Sequence, residues 1–348
     1  MSGVSATRLW ASVMGGIVSM GASIGIAPQP PEPAQPDPRI AAQQPELERA
    51  ADALEELRSE ICARLDRRAL VVLPLVALGV VVLLVALYGW RVLTWGLLNT
   101  GLLVLIAVAV AWLLLQRGPA RVFRQTMRTI MGRSIASAMG GFTHQLDPAI
   151  SHDTLRDWPL FPRITEVTGH DLLTGTIDGQ DVSIARLHID YHIRTRRERN
   201  RRIAQPLHAI CIRIDAGLPQ HVSAVFLPDM IDIRIHRAIT KTHGLEDHTM
   251  PADLAPHFRA YAAPESHAVL QLLDRDALAE IGANDPAIVV FHAGQTIALF
   301  PLGSDIFVPL AAQPYWRDID RAQLVAQLND DLRLFERRLA RVSATFRG

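Results

Sequence analysis

The sequence predicts an α+β protein: a two-helix transmembrane hairpin followed by a cytoplasmic domain of antiparallel strands packed with helices. Three observations carry this. Two runs of 19 residues, Ala69 to Leu87 and Leu97 to Leu115, contain no charged side chain. Arginines crowd the outer ends of both runs and are nearly absent between them. Beyond residue 150 the apolar period changes from helical to alternating. The expected organisation is a disordered Pro-rich leader over 1–40, an amphipathic helix over 41–68, the hairpin over 69–116, a basic amphipathic helix over 117–150 and the α+β domain over 151–348.

Composition narrows the function classes. The hydrophobic fraction is 49%, above that of an ordinary soluble domain, and the excess lies between Ala69 and Leu115. Net charge is zero, which gives no overall attraction to nucleic acid or another polyanion. Lys241 is the only lysine, so the basic character is arginine throughout. Cys62 and Cys211 fall in a helical and a strand pattern, which implies no disulfide framework and fits a reducing compartment. The stretch Leu9 to Ala27 behind Arg8 superficially resembles a signal peptide, but it is rich in Gly and Ser, and Pro28 follows the best cleavage pattern. We read it as a disordered leader or the product of a start codon assigned too early, followed by the extended segment PQPPEPAQPDP, Pro28 to Pro38.

At 1.5 Å rise per residue, each uncharged run covers roughly the 30 Å hydrocarbon core of a bilayer. Each Leu, Val or Ile contributes a few tenths of a kcal/mol to insertion, so both runs favour lipid strongly. The connection YGWRVLTWG places Tyr88, Trp90 and Trp95 at headgroup level and is too short for anything but an antiparallel hairpin. Arg58, Arg64, Arg67 and Arg68 precede the hairpin, Arg117, Arg121, Arg124, Arg128 and Arg133 follow it, and Arg91 stands alone in the loop. The positive-inside rule then puts both termini of this multi-pass chain in the cytoplasm.

Upstream, Leu47, Leu54, Leu57, Ile61 and Leu65 form one stripe of a helix opened by Pro45. Two arrangements suit it equally: a short coiled coil giving self-association through Leu47, Leu54, Leu57 and Ile61, or folding back onto the soluble domain. Downstream, Val122, Phe123, Met127, Ile130, Met131 and Ile135 oppose Arg121, Arg124, Arg128 and Arg133. Such a helix either lies against anionic lipid or acts as a plain stalk.

In the soluble domain, Asp178-Gly179 between alternating runs predicts a hairpin with a type I′ turn, and an apolar parity shift between Ile184 and Leu187 suggests a bulge. Strands are expected at Leu207 to Ile214, Val222 to Leu227 and Met230 to Ile235, and a helix at Ser266 to Ile281. A second hairpin turns at Ala293-Gly294, and a terminal helix carries Val325, Leu328, Leu332, Phe335, Leu339 and Val342 on one stripe.

Candidate chemistry is sparse. Arg194, Arg196, Arg197, Arg199, Arg201 and Arg202 crowd a loop between two strands. A solvated loop explains them. If they bind anything, the nearby bilayer makes anionic lipid the partner, together with Arg121, Arg124 and Arg128, and the lack of interleaved aromatics argues against nucleic acid. Thirteen histidines include the sequence-near pairs His188 with His192 and His243 with His248. On a strand the first pair would stand roughly 13 Å apart, too far for one ion, and no HExxH or cysteine partner exists. No cofactor, metal or catalytic residue is expected: G-x-S-x-G, P-loop and dinucleotide fingerprints are all missing, and nothing pairs Asp171, Asp178, Glu246, Asp247 or Asp305 as acid and base.

The order of features nevertheless resembles a bacterial two-span membrane protein family of unknown function, often associated with LemA-type proteins. The resemblance rests on GTIDGQDVSIARLHI, on Leu245-Glu246-Asp247, on Phe258 to Ala262 and on Asp305-Ile306-Phe307, within roughly residues 155 to 342. Ala185-Arg186 departs from the Ser-Glu usual in that family. The resemblance implies a LemA-like membrane partner and supplies no catalytic residue. The expected role is a membrane-anchored binding or scaffolding protein; the competing class is an enzyme acting on a lipid or envelope substrate.

Overall fold

The computed structural model describes residues 37–88, 97–148, 152–161, 164–194, 202–228, 233–301, 315 and 318–345. The protein is α+β, and its contacts divide it into two compact units.

The first unit holds residues up to Met127 together with 308–327. A short helix α1, Pro38–Ala42, is capped by the Asp37 side chain and leads into α2, Gln44–Tyr88. The helix α3 begins at Leu97 and runs to Ala138. Both α2 and α3 are long and apolar enough to cross a membrane, and their apolar stretches have almost no protein over them. Leu70, Leu75, Leu87 and Leu105 are each about 60–70% exposed, which no helix of a water-soluble core would tolerate. Pro74 and Pro119 sit inside helices rather than at their ends. Each lacks the N–H for one helical bond, a deficit that helix interiors absorb with a local bend.

Before the apolar stretch, α2 keeps a buried stripe of Leu47, Leu54, Ile61 and Leu65. Ion pairs join this helix to the segment leading into the last helix: Arg58 pairs with Glu55 and reaches Asp318 at 3.0 Å, and Arg321 meets Asp52 at 2.5 Å. Tyr315 is buried in the same unit, its hydroxyl pushed well above the ordinary tyrosine value by burial, with Cys62 and Asp66 adding to the rise. This corrects one expectation. Leu47, Leu54 and Ile61 are buried within the single chain and Leu57 is half-buried, so the stripe is not free for self-association.

The second unit, 128–307 with 328–348, is built on one nine-stranded, wholly antiparallel sheet. Its strands are β1 (Thr143–Gln145), β2 (Ile164–Ile177), β3 (Gln180–Arg194), β4 (Arg202–Asp215), β5 (Ser223–Pro228), β6 (Glu246–His248), β7 (Phe258–Ala262), β8 (Ile288–His292) and β9 (Gln295–Pro301). They lie in the order β1-β2-β3-β4-β9-β8-β5-β7-β6. Helices α4 (His152–Arg156), α5 (Ile233–Thr242), α6 (His267–Leu270), α7 (Arg275–Asn284) and α8 (Arg321–Ala344) complete the elements. Both hairpin turns form as expected, Asp178-Gly179 and Ala293-Gly294 having positive φ at each residue, as a type I′ turn requires.

The centre of the sheet is buried on both faces. Leu187, Ile189, Cys211, Val225, Val290 and Leu299 pack on one face with Phe161 beside α4 and with Ile235 and Ile239 of α5. Against the other, the Arg338 guanidinium of α8 lies 4.6 Å from the centre of the Phe300 ring and bonds Asp285 at 2.5 and 2.9 Å. Full burial explains why β8 and β9 read as unbroken apolar runs. It also explains the parity shift in β3, where Ile184 and Leu187 are both buried on opposite faces. The bulge itself lies across from it on β2, where Asp171 and Leu172 fall between the pairs His170–Arg186 and Leu173–Ile184.

Two elements differ from expectation. Ile233 and Ile235 belong to α5, not to a strand, and the alternation there is one edge of a helix whose Ile235 and Ile239 face the core. The helix expected from Ser266 to Ile281 breaks, because the Asp274 carboxylate accepts from Ala277 N–H and caps a new helix, α7.

Near the start of the unit, a methyl group at Gly132 of α3 would overlap the His144 ring of β1. Replacing Gly132 with Ala should therefore lower stability by about 1–3 kcal/mol, although alanine favours helices by about 1 kcal/mol. A melting temperature equal to or above that of the native protein in detergent would contradict this packing.

Candidate functional site

Two polar features of the sheet unit stand out, one buried and one open. The buried one centres on Asp171, the first residue of the β2 bulge. It takes φ of 53°, a left-handed value normally left to glycine, and its N–H donates to the Leu146 carbonyl at 2.7 Å. Its carboxylate is almost completely enclosed. Arg128 donates to one oxygen at 2.7 and 3.1 Å, Arg186 approaches the same oxygen at 3.5 Å, and His144 Nε2 stops 3.5 Å from the other. Burial alone would raise this carboxyl group, but His144 and the guanidinium groups of Arg128 and Arg186 outweigh it and hold it below the usual range.

The cluster is a structural clamp. Removing one member of a buried ion pair leaves an uncompensated charge and costs about 3–5 kcal/mol. Arg128 is thereby withdrawn from the set of lipid-contacting arginines, since its guanidinium is held by Asp171. Arg121 and Arg124 are exposed. Arg194 and Arg202 pair at the end of the β3–β4 ladder, and Arg196, Arg197, Arg199 and Arg201 lie outside the described residues.

The open feature is a groove of about 440 Å³ where the face packed by Leu187 and Leu299 runs out of covering helices, lined by Thr174, Thr176, Asp181, Ser183, Arg213, Asp215 and Gln295. The β2-β3-β4-β9 register brings these residues into adjacent rows. Hydroxyls, an amide, two carboxylates and a guanidinium can bind a polar molecule by hydrogen bonds, but they supply no nucleophile with a base.

Elsewhere, histidines pair across the fold rather than along the chain. His188 lies against His208, His248 against His267 with ring centres 4.7 Å apart, and His236 bonds the Tyr261 hydroxyl at 2.8 Å in the core. Burial, with His267 adding to it, lowers His248. Ser223 Oγ stands 3.5 Å from His292 Nδ1, and burial holds His292 below the ordinary histidine value despite the opposing charge of Asp157. These are the residue types of a hydroxyl nucleophile and its base, here at the outer limit of hydrogen-bond distance. The Ser223 N–H is already donated to Ser266 Oγ. Cys211 is fully buried and its thiol is pushed up to about 12, so it is no nucleophile.

Sequence reasoning missed Asp171 as a site because nothing near it in sequence supplies Arg128 or Arg186. The bulge was hinted at only through its partner strand.

The Asp171 clamp has a pH signature. Its folded value is depressed, so its stabilisation is complete above the unfolded carboxylate range, near pH 4, and is lost as pH falls through the folded value. Asp171→Asn should lower stability at neutral pH and flatten its acid dependence, and Arg128→Gln should destabilise likewise. Arg121→Gln and Arg124→Gln should stay within about 0.5 kcal/mol of native. Equal melting temperatures for Arg128→Gln and Arg121→Gln would refute the assignment.

No protein-family model and no curated protein matches the chain. Among solved structures, the crystal structure of the mycobacterial trehalose monomycolate transport factor A, TtfA, is similar at 17% identity with a TM-score of 0.29, covering 59% of this chain and 95% of that one.

Proposed function

We propose that the chain is a membrane-anchored binding or scaffolding protein, held by two spans in a bacterial inner membrane with both termini and the sheet unit in the cytoplasm. The observation that carries the reading is the uncovered apolar surface of α2 and α3. Arginine asymmetry around the two runs supports the orientation, and exposed Arg121 and Arg124 suit anionic headgroups on that side. The family resemblance makes a LemA-type membrane protein the first partner to try. The second reading, an enzyme acting on a lipid or envelope substrate, is favoured only by the Ser223–His292 pair.

Orientation is testable with single cysteines in a background lacking Cys62 and Cys211. Ser59→Cys and Ser343→Cys should resist membrane-impermeant maleimide in intact cells and react after permeabilisation, whereas Thr94→Cys in the connection should react in both. Labelling of Ser343→Cys from outside would overturn the topology. Unchanged partner recovery from mild detergent after deletion of residues 151–348 would overturn the binding role of the sheet unit.

A further inference from the structure

The histidine pair between β3 and β4 is held at a separation that suits a hydrogen bond and a shared metal ion alike. His188 and His208 are direct register partners inside an uninterrupted antiparallel ladder from Val182–Ile214 to Arg194–Arg202, so the backbone fixes their separation. Their Nδ1 atoms are 3.1 Å apart and their ring centres 4.3 Å apart. Imidazole nitrogens bind borderline divalent metals at about 2.0–2.1 Å. Two such bonds at adjacent coordination positions place the nitrogens about 3 Å apart, the separation seen here.

The surroundings fit a ligand pair. Asp190, two residues along β3, holds an oxygen 3.5 Å from His188 Nε2. A carboxylate beside the far nitrogen keeps the proton on Nε2 and leaves Nδ1 with its lone pair, the arrangement that metal-binding histidines share. Both rings are reachable from solvent, His188 being partly exposed and His208 exposed. Among the described residues no group of three His, Cys, Asp or Glu side chains converges on one point, so water must complete the coordination.

We propose that His188 and His208 form a two-histidine chelate for a divalent transition metal of the zinc, nickel or copper type, with Asp190 as a positioning residue. Imidazole ligands select this class over magnesium and calcium, which require oxygen. Sequence could not reveal the pair, since its members stand on different strands and the sequence-near candidate, His192, lies further along the same strand.

The test is titration of the full-length protein in detergent with zinc chloride, followed by calorimetry. Native protein should bind one zinc ion per chain; His188→Ala and His208→Ala should each weaken binding at least tenfold. Asp190→Asn should weaken it about tenfold, as loss of an outer partner does. His248→Ala, which breaks the histidine pair with His267, should bind as the native protein does. Circular dichroism should show the variants folded, as expected for side chains at the surface. Absence of stoichiometric zinc binding, or binding unchanged in both His188→Ala and His208→Ala, would overturn the proposal.

Discussion

Leucine and valine are exposed along the apolar stretches of α2 and α3, and among the described residues almost nothing covers them. In water that surface would be penalised by about 25 cal/mol per Å², several kcal/mol for each helix. In a bilayer the same side chains favour insertion, and the helical backbone satisfies its own N–H and C=O groups. The rest of the chain is arranged around this requirement. Charged residues are excluded from both stretches, and arginine resumes directly beyond them.

Outside the apolar stretches, burial follows water-soluble rules, and several enclosed charges among the described residues are paired. Arg58 is buried with Glu55 and Asp318 as partners, Asp171 with Arg128 and Arg186, and Arg338 with Asp285 under a cation–π contact to Phe300. Apart from Arg58 with Glu55, these pairs tie segments distant in sequence. A sheet buried on both faces in its middle needs such ties, because apolar packing alone is non-directional. Where the covering helices stop, the same strands turn polar and leave the groove lined by Asp181, Arg213 and Asp215.

The features that sequence made legible were those with a local cause. Uncharged runs disclosed the two long apolar helices, Asp178-Gly179 and Ala293-Gly294 disclosed their turns through the need for positive φ, and the Leu328–Val342 stripe disclosed α8. What stayed hidden depends on partners far along the chain. The α2 stripe admitted two arrangements, and only the burial of Leu47, Leu54 and Ile61 within the chain spoke against a free face. Asp171 has no glycine to announce its left-handed backbone, and its partners come from α3, β1 and β3. The strand misread at Ile233 to Ile235 shows the limit of a short window, in which two isoleucines two apart suit a strand as well as the edge of a helix.

Membrane insertion is tested most directly by alkaline carbonate extraction of membranes containing the full-length protein. Integral spans predict that the chain stays in the membrane pellet at high pH and is released only by detergent. Release into the carbonate supernatant as a folded protein would mean that the apolar faces of α2 and α3 are covered by protein rather than lipid, and would contradict the account.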